Sequence, residues 1–341
     1  MVNSAETILI AAITGFVGAA ISYIYNNKKA EQDSRRSYEY EARKRLYTEC
    51  EPILFQIIEL SNNAFKLIKW LANETKKGKF VSSQENRLFI GNTYMMKSTI
   101  YRFLAPLAAF RILQSALTTV DLRLDSKINL QYMLMKKLYE SFTRDDDLAE
   151  SDIKLIYKPL FDKKWADQRK KEPQKFRKQG FNFGRLEKLT SELIIRDSNG
   201  IRRVMTYGEF ESEFEHGKNA DDDNDETDKK FRIPYLIFYD FHPNRLPVLW
   251  RILMTQAQIY DIIISISKLP ENKIASLDQH TIKKISQFDL RSLDWRDLNA
   301  DEEPFDKNPF EAVEEYLQKE LDDIYHIIPL HNNRISNFKL K

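Results

Sequence analysis

Cysteine is almost missing from this chain: Cys50 stands alone among 341 residues. An intramolecular disulfide is thereby excluded, and so is any zinc site built on thiolates. Glycine is scarce as well, with 9 in the whole length, which argues against folds dense in tight turns. Long stretches rich in Leu, Ile, Lys, Glu and Gln argue for helices instead. A global charge is also lacking, because 53 Lys and Arg meet 51 Asp and Glu. No overall field draws the protein to nucleic acid, and binding of that kind would need a local patch.

The familiar signatures of catalysis are absent too. The sequence contains no GxxxxGK[ST] phosphate loop, no GxGxxG, no GxSxG elbow and no HExxH helix. Its five histidines, at 216, 242, 280, 326 and 331, are dispersed, and Pro329 separates the last two. They offer no paired ligands on one helix face, so neither a metal nor another cofactor is expected.

What the chain does have is an uncharged run near its start. Residues 7–25, TILIAAITGFVGAAISYIY, extend about 28 Å as a helix, close to the thickness of a bilayer's hydrocarbon core. The run is read as a single-pass anchor, residues 1–27 forming that unit. A cleaved signal peptide competes, since Gly18, Ala19 and Ala20 suit a peptidase, but no Lys or Arg precedes the run and it exceeds a usual signal core. The basic residues Lys28, Lys29, Arg35 and Arg36 follow directly, and the positive-inside rule then places the rest of the chain in the cytoplasm and the amino terminus outside. Tyr23 and Tyr25 fall where an interfacial aromatic belt sits. Ala11, Gly15 and Ala19 recur every four residues, a small-residue face on which two copies can approach in the membrane.

The remaining sequence, with 30% charged residues and a mean hydropathy of -0.53, reads as a helical body. Three regions are expected: 28–160 helical, 161–230 mixed, and 231–341 helical. Leu46, Cys50, Ile53, Ile57, Leu60, Ala64, Leu67 and Leu71 alternate by four and three, and Leu54, Ile58, Phe65 and Ile68 widen the stripe beyond a two-stranded coiled-coil seam. Bundle packing and a coiled coil both remain open, and Pro52 is expected to open or kink the helix. Further helices are predicted over 93–120, 127–142, 245–268, 282–293 and 309–328, with Met133 and Met135 as core filler. Residues 193–206 predict a β-hairpin around Asn199 and Gly200.

Three segments invite binding chemistry. Residues 162–178 hold eight basic and three acidic residues with Trp165 and Phe176 among them, a pattern that suits a solvated connector, a lipid surface or a phosphate backbone. Residues 217–230 are acidic and read as a disordered loop; an EF-hand starting at Asp221 fails because Glu226 and Arg232 stand where Gly and Glu are required. Asp240, His242, Asn244 and Arg245 gather a carboxylate, an imidazole, an amide and a guanidinium ahead of a helix, and Asp240, His242 and Arg245 are the candidate catalytic residues. The competing reading of that corner is an Asn or Asp helix cap with an ion pair.

The function expected from these features is a membrane-anchored interaction or scaffold protein whose partners are the bilayer and a protein or a second copy. A membrane-active effector of a defence or toxin system, and an enzyme acting on lipid or nucleotide, are the alternatives.

Overall fold

The computed structural model describes residues 4–80, 93–117, 122–150, 178–216, 237–238, 241–274, 285–296 and 308–327, with 234, 277 and 306 singly, and gives the backbone alone for 4–13. Helix α1, Ser4–Lys76, is continuous for 73 residues, roughly 110 Å at 1.5 Å per residue. Its two halves obey different rules. Residues 14–38 are exposed throughout, and Leu46 is the first buried position. From there Cys50, Leu54, Ile57, Ala64, Leu67, Ile68 and Leu71 enter the core, which is the expected stripe turned inward. Pro52 neither opens nor ends this helix but lies inside it.

Helix α2, Thr93–Ala116, and helix α7, Pro247–Ser267, pack against the buried half of α1. Between them in sequence come α3 (Ser126–Thr143), α4 (Asp145–Glu150), α5 (Phe183–Glu192), strands β1 (Ile194–Arg196) and β2 (Arg202–Val204), and α6 (Tyr207–His216). After α7 follow the single turn α8 (Glu271–Ile274), a 3-10 turn at Leu290–Leu293 and α9, Pro309–Ile327. Helix α7 is buried on every side, from Val248 through Trp250 and Tyr260 to Ile266, as befits the centre of a bundle. It touches α1, α3, α4 and α9, and the buried side chains from Leu46 to Ile324 form one contiguous cluster. Bundle packing is thus what the wide stripe encodes. Met133 and Met135 lie in that core.

The hairpin forms as expected, antiparallel with Ile194 opposite Val204 and Arg196 opposite Arg202. Asp197 organises its turn by accepting from the Asn199 and Ile201 amides through Oδ1, both at 2.8 Å. Gly200 supplies the positive φ of 77° that closes the loop. Thr206 and Glu209 then start α6 as a capping box: the Thr206 amide donates to Glu209 Oε2 at 2.8 Å, and the Glu209 amide to Thr206 Oγ1 at 3.4 Å.

Two expectations change. The helix predicted over 282–293 does not run on through its described part: Ile285 is helical, Ser286–Asp289 is irregular, and a 3-10 turn follows. The cause is local: Asp289 caps that turn by accepting from the Arg291 amide at 2.9 Å, a competing use of the backbone. Ile237 and Phe238, in the region expected to be helical, are helical and buried. The membrane span is likewise not a described feature. Among the described residues no helix is long and apolar enough to cross a membrane, and the side chains of 7–13, the first part of the uncharged run with Ala11 in it, lie outside them.

Candidate functional site

The corner before α7 is held by its own backbone. The Arg245 and Leu246 amides donate to the His242 carbonyl at 3.0 and 2.8 Å, and the Asn244 amide donates to His242 Nδ1 at 3.1 Å. That bond fixes the neutral imidazole with Nδ1 as acceptor. Burial pushes the His242 pKa down, and the neighbouring Arg245 cation pushes it further, to about 3. The ring meets Trp295 edge to face at 5.3 Å. Arg245 donates through Nη2 to the Phe80 carbonyl at 3.4 Å, tying this corner to the end of α1. Asp240 lies outside the described residues.

Such a histidine is a poor general base near neutrality, because the efficient range for proton transfer lies several units higher. Its imidazole and the Arg245 guanidinium serve the chain's own turn. The expected Asn or Asp cap for α7 is absent too: Leu246 occupies the cap position with no side-chain bond. Gln179, far away in sequence, supplies the acceptor by taking the Leu249 amide through Oε1 at 3.0 Å.

Gln179 belongs to a four-residue clamp that sequence reasoning did not single out. Lys178 donates to the buried Asp145 at 2.7 Å, and the Gly180 amide donates to the same carboxylate at 3.2 Å. The Phe181 amide donates to the Phe142 carbonyl at 2.7 Å while the two rings meet at 5.3 Å. A Cβ at Gly180 would stand 2.5 Å from the Phe142 carbonyl oxygen, so no other residue fits. Asp145 is therefore the first residue of α4 and a structural acceptor. Lys178 ends the basic run 162–178, and the rest of that run lies outside the described residues, as does the acidic loop 217–230.

Charge inside the body is likewise matched. Arg251, fully buried on α7, makes a two-point ion pair with Asp306 at 2.7 and 3.0 Å and donates to the Leu148 carbonyl at 2.7 Å. Glu320 of α9, 1% exposed, lies 2.5 Å from Lys137 and 3.0 Å from Arg144. Burial lowers the Lys137 pKa, but the Glu320 carboxylate and its neighbours more than offset that and hold it above the ordinary value. These groups bind α9 and α4 to α3 and present no open coordination site. Among the described residues no group of three His, Cys, Asp or Glu could hold a metal ion.

The residues expected at a membrane stand apart from the body. Tyr23 and Tyr25 are exposed on the bare half of α1, followed by the exposed Lys28, Lys29, Arg35 and Arg36, with Arg35 paired to Glu39 at 3.1 Å. Gly15 and Ala19 are exposed on the same helix, and nothing lies within 4 Å of a Cβ placed at Gly15 or Gly18. No family model matches this chain, and neither the curated proteins nor the solved structures give a match.

Proposed function

We propose that this protein is a membrane-tethered interaction protein, with a helical body held off the inner face of the bilayer by the bare half of α1. One observation carries the reading: residues 14–25 form a helix without a charge on any side, exposing Phe16, Val17, Ile21 and Ile24. A helix that stays in water keeps a polar face, and this one has none. At 100° per residue the bulky side chains gather on one half of the wheel, and Gly15, Gly18, Ala19 and Ser22 on the other, with Ala11 in register. Lipid suits the bulky half. A second copy suits the small half, since close backbone approach is what drives helix pairing in a bilayer.

The next stretch, residues 26–45, has a different task. Glu31, Arg35, Glu39 and Arg43 alternate in sign every four residues, a spacing that supports a lone helix in water. No apolar repeat runs through these residues, so they do not make a coiled-coil seam. At 1.5 Å per residue they set the body roughly 30 Å from the end of the apolar run. The basic excess beside Tyr23 and Tyr25 orients the body to the cytoplasm. Binding a partner fits this design better than catalysis does, because His242 and Arg245, two of the groups that suggested chemistry, bond to the fold's own backbone.

Alkaline extraction of host membranes tests the tether: the full chain stays with the membrane pellet, whereas release to the supernatant counts against it. Pull-downs from detergent extracts test the partner role. Strictly monomeric behaviour with no companion protein removes that half of the proposal.

A further inference from the structure

A cavity of about 250 Å³ opens beside the root of α1, between the Tyr47–Ile58 stretch, the start of α3 and the end of α7. Its walls are apolar, formed by Leu54, Phe55, Ile58 and Ile128. Its polar groups divide into two kinds. Asp125 is saturated, accepting from the Tyr47 hydroxyl at 2.8 Å and from the Lys127 and Ile128 amides at 2.8 and 2.9 Å. The Lys127 ammonium is spent on the Ser267 and Leu269 carbonyls at 2.8 and 3.0 Å. Gln131 is different: it is 3% exposed, lines the cavity, and its side-chain amide has no hydrogen-bond partner among the described residues.

The Gln131 amide lines this cavity, and its two donors and one acceptor are what a bound molecule can pair with there. We propose that this cavity is a binding site for a small neutral amphiphile, an apolar body of one-ring size carrying an amide or hydroxyl head that pairs with Gln131. The size follows from the volume, since a dry cavity of about 150 Å³ suffices for benzene. The neutrality follows from the charges: Glu51 at the rim and Asp125 within disfavour an anion, and the one lysine is already engaged. Phe55, 65% exposed over the opening, gains cover when a ligand seats. The site is independent of the tether proposal, because every group in it belongs to the body.

Ligand-observed magnetic resonance on the full-length chain, with benzamide as probe and empty detergent micelles as blank, reads the site directly. Benzamide binds saturably and about tenfold more tightly than benzoate, a difference of about 1.4 kcal/mol. Gln131→Leu lowers benzamide affinity about tenfold and reverses the order of benzamide and toluene. Ile58→Trp, which fills the cavity from α1, abolishes binding of both. Absence of saturable benzamide binding overturns the proposal, as does unchanged affinity in Ile58→Trp. Equal affinity for benzoate and benzamide in the wild-type chain overturns it even where a variant fails to fold.

Discussion

Arg251 and Asp306 face each other inside the bundle, Nε to Oδ2 at 2.7 Å and Nη2 to Oδ1 at 3.0 Å, with the guanidinium wholly out of solvent. Two parallel bonds of this kind use the planar fork of arginine, which a lysine could not reproduce. The third bond, to the Leu148 carbonyl, brings the end of α4 to the same point. The pair therefore joins α7, α4 and Asp306, three residues ahead of α9, at a single charge.

Removing one partner leaves the other buried and uncompensated. Asp306→Ala is expected to cost about 3–5 kcal/mol. Asp306→Leu combined with Arg251→Met is expected to recover much of that loss, and denaturant titration of the three chains checks it. Additive losses in the double variant contradict the assignment.

Gly180→Ala is expected to destabilise by about 1–3 kcal/mol, because the new Cβ meets the Phe142 carbonyl and the Asp145 side chain. Gln179→Leu, which removes the acceptor for the Leu249 amide, is expected to cost about 1 kcal/mol, as the loss of a helix cap does. Thermal unfolding measures both. An unshifted midpoint for Gly180→Ala means that the clamp is looser than described.

His242 makes stability pH-dependent with a definite sign. Its folded pKa, about 3, lies below the ordinary 6.5, so the unfolded chain takes the proton first. The contribution of the neutral ring to stability is fully present above pH 6.5 and is lost as the pH falls toward 3. His242→Gln removes that titration, and its stability profile over this window is expected to be flatter than that of the parent. Parallel profiles would show that the histidine does not titrate as described.

Cys50 offers a reporter of unfolding. Burial, with the Glu49 carboxylate adding to it, pushes the thiol up to about 11, and the side chain is fully enclosed. Thiol reagents at pH 8 are expected to leave the native chain unlabelled and to modify one site per chain in denaturant. Rapid modification of the native protein would place Cys50 at the surface.

Much of the body was legible because its signals are periodic. The stripe from Leu46 to Leu71, the apolar run of α7 and the Asn199–Gly200 turn each combine several residues that agree. Segments governed by distant partners were not legible. Nothing near Gln179 says that its amide caps a helix start 70 residues on, and nothing near Gln131 says that a cavity faces it. The corner at His242 was open to two readings for the same reason. A polar cluster before a helix looks like chemistry until the hydrogen bonds within the turn are counted. The Thr206–Glu209 box, in contrast, carries a local S/T-x-x-E signature that a search for caps would have found.

Vesicle flotation of full-length chains tests the tether most directly, comparing the parent with Phe16→Asp, in the middle of the uncharged run, and Tyr38→Asp, on the charged stretch. A carboxylate at the centre of a membrane helix costs about 2.5–3.5 kcal/mol, enough to lower membrane association by roughly 100-fold. The account predicts that the parent and Tyr38→Asp float while Phe16→Asp shifts to the aqueous fraction. A parent chain that remains in the aqueous fraction, or a Phe16→Asp chain that floats as the parent does, would contradict it.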